Sequence, residues 1–150
     1  MTTLKTGDKA PNFSGFAQNG ATHKLADYKG KKLVVFFYPK ASTPGCTAEA
    51  CDLRDNYNRF QANNYALLGV SADSAKAQAK FIEKFDLPFP LLADEDKSVI
   101  QAFGVWGPKK FMGREYDGIH RTTFVIDESG IIEEVISDVK TKAHAAQILK

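Results

Sequence analysis

No segment of this chain approaches the roughly 18 consecutive apolar residues that a membrane-spanning helix requires, so we expect no role in a membrane. The opening, Met1 to Pro11, has no apolar signal core, and nothing in it directs the chain out of the cytosol, which makes a cytoplasmic protein the expectation. Charge of one sign is also missing. The net charge is +2 and no run of lysine or arginine forms an electrostatic footprint, which argues against a nucleic-acid partner. The pairs Lys31-Lys32 and Lys109-Lys110 read as solvated loop ends. Repeats, low-complexity tracts and linkers are absent, and a chain of 150 residues fits one domain, 1–150, that can bury a core. Cysteine is scarce: two residues cannot build a disulfide scaffold, and in a cytosolic chain such a pair points to redox or metal chemistry. A structural zinc site takes four ligands, and His23, His120 and His144 fall in different segments without ligand spacing. They read as structural or surface residues, and no cofactor is expected. Attention therefore falls on Cys46 and Cys51.

What is present is an alternation of apolar runs and amphipathic stretches. Asn12–Phe16 and Thr22–Lys24 flank Gln18-Asn19-Gly20, a strong hairpin turn signal. Leu33-Val34-Val35-Phe36-Phe37 is a continuous run of β-formers, hence a strand buried on both faces. Cys46 to about Asn63 reads as one helix and Tyr65–Val70 as a second buried strand, together a right-handed parallel crossover. A helix follows over Ser74–Phe85, capped by Asp73 or Ser74 and burying Phe81, Ile82 and Phe85. Leu87-Pro88-Phe89-Pro90 must be extended, because residues before proline avoid the α region, and it leads into a short strand at Leu91–Ala93. A short helix over Lys97–Phe103 stops at Gly104; Trp106, Phe111 and Met112 fall in a loop, with packing as the usual role of aromatics and docking of a reductant or lining of a substrate pocket as the alternative. Thr122–Ile126 and Ile131–Ile136 flank a turn and form an antiparallel hairpin, and Ala143–Leu149 closes the chain as a helix. This is the thioredoxin-like order of elements: an α/β fold with a central mixed β-sheet flanked by helices and an N-terminal β-hairpin. Fold class alone says little about function.

The informative stretch is Tyr38 to Cys51, which leaves the end of a buried strand and opens a helix, where ligand sites of open α/β sheets lie. Thr43-Pro44 reads as an N-cap followed by proline at the first helical position. Cys46 then sits in the first turn, where unpaired backbone N–H groups and the helix dipole favour negative charge, and with it the nucleophilic thiolate. Cys46, Ala50, Leu53, Tyr57 and Phe60 recur at spacings that form one stripe toward the sheet. Cys51 lies about 140° away around the axis, and helix geometry separates the two α-carbons by roughly 8.5 Å. A disulfide needs about 7 Å or less, so the pair cannot bond until the first turns unwind. That suits a catalytic cycle: peroxide oxidises Cys46 to a sulfenic acid, the helix opens, Cys51 condenses with it, and an external dithiol reduces the bond.

The motif Pro39-x-x-x-Thr43-x-x-Cys46 resembles the active-site motif of the peroxiredoxins. The longer string from Phe37-Tyr38-Pro39-Lys40 through Thr43-Pro44-Gly45-Cys46-Thr47-x-Glu49-Ala50-Cys51 is similar to the peroxiredoxin Q, or bacterioferritin comigratory protein, subgroup. The likeness extends to Gly7–Phe13, to Pro88–Leu92, and to Trp106-Gly107 with Gly118–Asp127. It implies that Cys46 is the peroxidatic cysteine and Cys51 the resolving one. It also implies that the Thr43 hydroxyl orients the peroxide and hydrogen-bonds the thiolate, that Pro39 shields the thiolate from water, and that Arg121 lies opposite it across the pocket. Taken by itself, Arg121 reads as a surface arginine. Glu49 has two readings: a carboxylate that holds Arg121, or an acidic residue favoured in a first helical turn. The implied activity is reduction of hydrogen peroxide and small alkyl hydroperoxides without metal, haem or flavin, with thioredoxin as the usual reductant. The resemblance also implies a monomer more often than a large ring; a weak dimer is the alternative.

Two rivals stay open at this point. A general thiol–disulfide oxidoreductase on the same fold usually carries Cys-x-x-Cys, whereas the spacing here is Cys-x4-Cys. A redox-sensing binding protein would use the same helix opening to expose a docking face, and would oxidise once without turnover.

Overall fold

The computed structural model describes residues 2–149. Its centre is a five-stranded sheet built from β3 (Lys32–Phe37), β4 (Tyr65–Ser71), β5 (Leu91–Ala93), β8 (Thr122–Ile126) and β9 (Ile132–Ile136), in the order β5-β4-β3-β8-β9. The β3–β4 and β4–β5 pairs are parallel and the β3–β8 and β8–β9 pairs antiparallel, so the sheet is mixed. The N-terminal hairpin β1 (Ser14–Phe16) and β2 (Thr22–Lys24) forms as expected. The chain has the thioredoxin-like fold that the element order implies.

Both faces of the sheet are covered, which is why β3 reads as an unbroken apolar run. Side chains alternate across a strand. Leu33, Val35 and Phe37 therefore pack on one face with Phe13, Val99 and Phe103. Val34, Phe36 and Tyr38 pack on the other with Leu53, Phe60, Phe81 and Ile148. Gly69 on β4 is required by this packing. A Cβ there would come within 2.5 Å of Leu91 Cδ2 and 2.8 Å of Phe36 Cζ.

The crossover between β3 and β4 departs from the single helix expected. Helix α1 spans Pro44–Asp55 and α2 spans Tyr57–Ala62, with Asn56 between them at φ −108° and ψ 11°. The Asn56 side-chain amide donates to the Asp52 carbonyl at 2.8 Å, the local competition by which asparagine interrupts helices. The apolar stripe survives the break: Cys46, Ala50, Leu53 and Phe60 are buried and Tyr57 packs against them. Helix α3 (Ala75–Phe85) is capped by Ser74, whose hydroxyl accepts from the Ala77 amide at 3.1 Å. Phe81 is fully buried, while Ile82 and Phe85 are only partly so. Helices α4 (Ser98–Ala102) and α5 (His144–Ile148) fall inside the expected segments.

A second departure is the segment read as a loop around Trp106. It forms an antiparallel hairpin, β6 (Trp106–Phe111) and β7 (Arg114–Ile119), turned by Met112 and Gly113 at φ +52° and +81°. Phe111 and Met112 at its tip are 64% and 88% exposed, so they do not pack as expected. A ribbon open to water over most of both faces shows no apolar alternation, and its sequence therefore reads as a loop. A short 3-10 turn, Leu25–Tyr28, follows β2 and was likewise not foreseen.

Candidate active site

Strand pairing brings the site together. Because β8 runs antiparallel to β3, with Thr122 beside Phe37, the start of β8 lies at the end of β3. Helix α1 begins at that same end, so Arg121, just before β8, faces the first turn of α1. Thr43 is the N-cap residue, at φ −79° and ψ 157°, and Pro44 opens the helix. Cys46 is then the third helical residue, in the turn whose backbone N–H groups have no intrahelical partner. The loop ahead of it is anchored: the Ala41 amide donates to Asp73 Oδ2 at 2.8 Å, and the buried Tyr38 hydroxyl donates to Gln78 Oε1 at 2.5 Å.

Cys46 is 2% exposed and its sulfur receives Arg121 Nη2 at 3.3 Å. The other guanidinium arm donates to Glu49 Oε1 at 2.6 Å. Glu49 is fully buried on the same helix face, one turn on from Cys46. It lies beyond the first turn of α1, which holds no acidic residue, so the arginine-holding reading of Glu49 stands and the helix-dipole reading does not. Burial pushes the Glu49 carboxyl up to about 7, against the opposing pull of Arg121. Arg121 is half-buried, not the surface residue its type suggests by itself.

The two cysteines are free, Cys46 buried and Cys51 partly exposed, and both lie on the uninterrupted helix α1. The geometry is thus the unbonded one expected of an intact helix. Thr43 differs from expectation in two respects. Its hydroxyl makes no cap hydrogen bond, and it donates to the Lys40 carbonyl at 2.7 Å instead of to the Cys46 sulfur. A hydroxyl oxygen keeps two lone pairs when it donates, so Thr43 can still accept from a substrate. Pro39 is partly buried at the mouth of the same loop.

Three residues of the site escaped sequence reasoning. Gly45 is one: a Cβ at this position would sit 3.3 Å from Arg121 Nη2, so glycine leaves room for the guanidinium. Lys109, expected at a solvated loop end, lies on β6 with its ammonium donating to the Ile119 carbonyl at 2.8 Å. Burial and the nearby Arg121 charge hold it below the ordinary lysine range. His144 is the third. It is completely buried, with Nε2 at 3.5 Å from Glu49 Oε2 and 2.7 Å from Thr123 Oγ1. Nothing in its spacing marks it, since it meets Glu49 only through the packing of α5 on α1. Among the described residues, no group of three or more histidine, cysteine, aspartate or glutamate side chains is placed to hold a metal ion.

Residues 6–135 match the AhpC/TSA family. Peroxiredoxin Bcp of Escherichia coli is 49% identical over 149 residues, covering 99% of this chain and 96% of that protein. Peroxiredoxin Bcp of Bacillus subtilis is 47% identical over 148 residues, 99% and 94% of the two chains. Among solved structures, the bacterioferritin comigratory protein of Xanthomonas campestris, described for its alkyl peroxide reduction activity, superposes with a TM-score of 0.88. It is 32% identical, over 99% of this chain and 95% of that one. The chain belongs to the AhpC/TSA family and, within it, to the peroxiredoxins of the Bcp or Q type, thiol-dependent peroxidases that act on hydroperoxides and are recycled by a thiol reductant.

Proposed function

We propose that Cys46 is the peroxidatic nucleophile and Cys51 the resolving thiol of a single catalytic domain spanning residues 1–150. The contact of Arg121 Nη2 with Cys46 Sγ at 3.3 Å, in the first turn of α1, is the observation that carries this reading. The Cys46 thiolate attacks one oxygen of the hydroperoxide, the O–O bond breaks, and the other oxygen leaves as hydroxide or alkoxide and takes up a proton. Arg121 keeps its charge throughout, so it stabilises both the thiolate and the charge developing on the leaving oxygen. Thr43, whose one hydroxyl proton goes to the Lys40 carbonyl, orients the substrate by accepting from the peroxide O–H. The Cys51 thiol then attacks the sulfenic sulfur, water leaves, and a Cys46–Cys51 disulfide forms. A thioredoxin-like dithiol reduces it by exchange through a mixed disulfide.

Hydrogen peroxide and small alkyl hydroperoxides are the substrates we assign, by analogy with the alkyl peroxide reduction described for the Xanthomonas campestris protein. By the family resemblance we assign a cytoplasmic monomer as the working form, with a weak dimer as the alternative. No helix among the described residues is long and apolar enough to cross a membrane. A coupled assay with thioredoxin, thioredoxin reductase and NADPH tests the cycle. Cys46→Ser abolishes turnover with every reductant. Cys51→Ser keeps the first oxidation fast and loses recycling by thioredoxin. Mass spectrometry of the peroxide-treated protein finds an intrachain Cys46–Cys51 bond. Substantial activity in Cys46→Ser, or two unreacted thiols after peroxide, refutes the assignment, and single oxidation without turnover returns the reading to a redox sensor.

A further inference from the structure

Glu49 Oε2 is a buried oxygen with no hydrogen-bond partner among the described residues. The group set against it is His144, whose Nε2 lies 3.5 Å away. The protonation of that imidazole can be worked out from its other side. His144 Nδ1 is 2.7 Å from Gln147 Oε1. The Gln147 amide has a fixed sense, because its Oε1 accepts from the Lys140 backbone N–H at 2.9 Å and its Nε2 donates to the Asp138 carbonyl at 2.8 Å. Nδ1 must therefore carry the proton. In a neutral ring Nε2 is then an acceptor, and the Thr123 hydroxyl donates to it at 2.7 Å. Nε2 therefore offers no proton to Glu49 Oε2, which lies 3.5 Å from this unprotonated edge of the ring.

An ionised carboxylate against that edge would be repelled and desolvated at once. Either the imidazole gains a second proton or the carboxyl keeps its own. The surrounding charges come from each element packed here: Cys46, Glu49 and Asp52 on α1, Arg121 ahead of β8, and Glu134 on β9. Burial, aided by Arg121, holds His144 below its ordinary range, although Gln147, Asp52 and Glu134 pull the other way. The neutral ring wins, and the proton belongs on Glu49. That matters because Arg121 is shared between Glu49 and Cys46. A neutral Glu49 still accepts the Arg121 hydrogen bond at Oε1 but no longer cancels its charge.

We propose that His144 is a positioning residue for peroxide reduction: its Nε2 edge keeps the Glu49 carboxyl protonated and so leaves the charge of Arg121 to Cys46. The proposal rests on the peroxidase reading above and concerns a side chain that touches neither substrate nor sulfur. His144→Gln puts an amide in place of the imidazole, able to donate to Oε2 and favour the carboxylate. Gln147→Leu reaches the same end with His144 kept, by freeing Nδ1 so that the ring can turn its N–H toward Glu49.

Infrared difference spectra against Glu49→Gln should show the C=O band of a protonated carboxylic acid in the otherwise unaltered protein at about pH 6, and loss of that band in both variants. The rate of Cys46 oxidation by hydrogen peroxide should fall roughly tenfold in both variants at that pH, the effect of one pKa unit. At higher pH, where Glu49 is ionised in every form, the rates should converge. A purely structural role would instead slow the reaction by the same factor at every pH. That outcome overturns the proposal, as does the absence of the acid band, its persistence in both variants, or an imidazolium at residue 144 by nitrogen NMR. The infrared arm does not depend on turnover, so a failure of the peroxidase reading would be told apart from a failure of this one.

Discussion

At Arg121 a single guanidinium has two partners, Cys46 Sγ at 3.3 Å and Glu49 Oε1 at 2.6 Å, and small displacements there matter. Gly45→Ala tests this from the side of the helix. The added Cβ sits 3.3 Å from Nη2, so the guanidinium must yield by a few tenths of an ångström. Alanine is the better helix former, and the fold should lose nothing. Hydrogen bonds to charged groups are worth about 1.5 kcal/mol or more, so we expect Gly45→Ala to slow Cys46 oxidation by up to roughly tenfold with an unchanged melting temperature. Stopped-flow peroxide kinetics and a thermal melt check the pair of results. Glu49 makes a prediction about stability. Its carboxyl rises from 4.5 to about 7 on folding, chiefly through burial. A raised acid binds its proton more tightly in the native state, so its contribution is complete below 4.5 and is lost as pH climbs through about 7. Urea unfolding across that window should show the protein losing stability toward higher pH relative to Glu49→Gln, which has no carboxyl to ionise. Parallel curves would mean that Glu49 titrates alike in both states.

Helix α1 shows how far the sequence can be read at the level of elements. The Thr43-Pro44 start, the placement of Cys46 in the first turn and the stripe through Phe60 all follow from local rules, and they are found. The break at Asn56 does not follow, since it depends on one side-chain amide reaching the Asp52 carbonyl. Arg121 is legible as a site residue only through family resemblance, because its approach to Cys46 is made by β3–β8 pairing between distant segments. His144 is not legible at all, for its role depends on tertiary packing. The ribbon β6–β7 is hidden for the opposite reason, having too little packing to impose a pattern. One consequence belongs to α1 and α5 together. The Ala145 amide donates to Asp52 Oδ2 at 2.7 Å, one residue past Cys51, and this bond ties the two helices where, on the proposed cycle, α1 loosens for the disulfide to form. Asp52→Ala should cost about 1.5 to 3 kcal/mol of stability and speed resolution of the sulfenic acid. Mass spectrometry after excess peroxide should then find less sulfinic acid at Cys46, because resolution competes with further oxidation. More sulfinic acid in the variant would show that the tie does not restrain the opening.

For the whole molecule, the proposed Cys46–Cys51 disulfide should be a destabilising link. A cross-link ordinarily stabilises by restricting the unfolded chain, but a loop as short as that between Cys46 and Cys51 earns only ~2 kcal/mol in the chain-entropy estimate. Against this stand the interactions that the opened turns give up: the Arg121 contacts with Cys46 and Glu49, and the burial of Cys46 and Ala50. Each helical hydrogen bond lost adds about 1 kcal/mol, and the charge-assisted ones about 1.5 to 3. The losses exceed the gain, so the oxidised protein should melt below the reduced one. By the thermodynamic cycle that joins folding to thiol exchange, the same difference makes the folded disulfide easier to reduce than the same bond in an unfolded chain. That is the property required of a bond that an external dithiol must break in every turnover, in contrast to a structural staple. Calorimetry of the fully reduced and fully oxidised forms, without free thiol present, decides the matter. A higher melting temperature for the oxidised form would mean that helix α1 accommodates the bond without opening, and the cycle would then lack its conformational step.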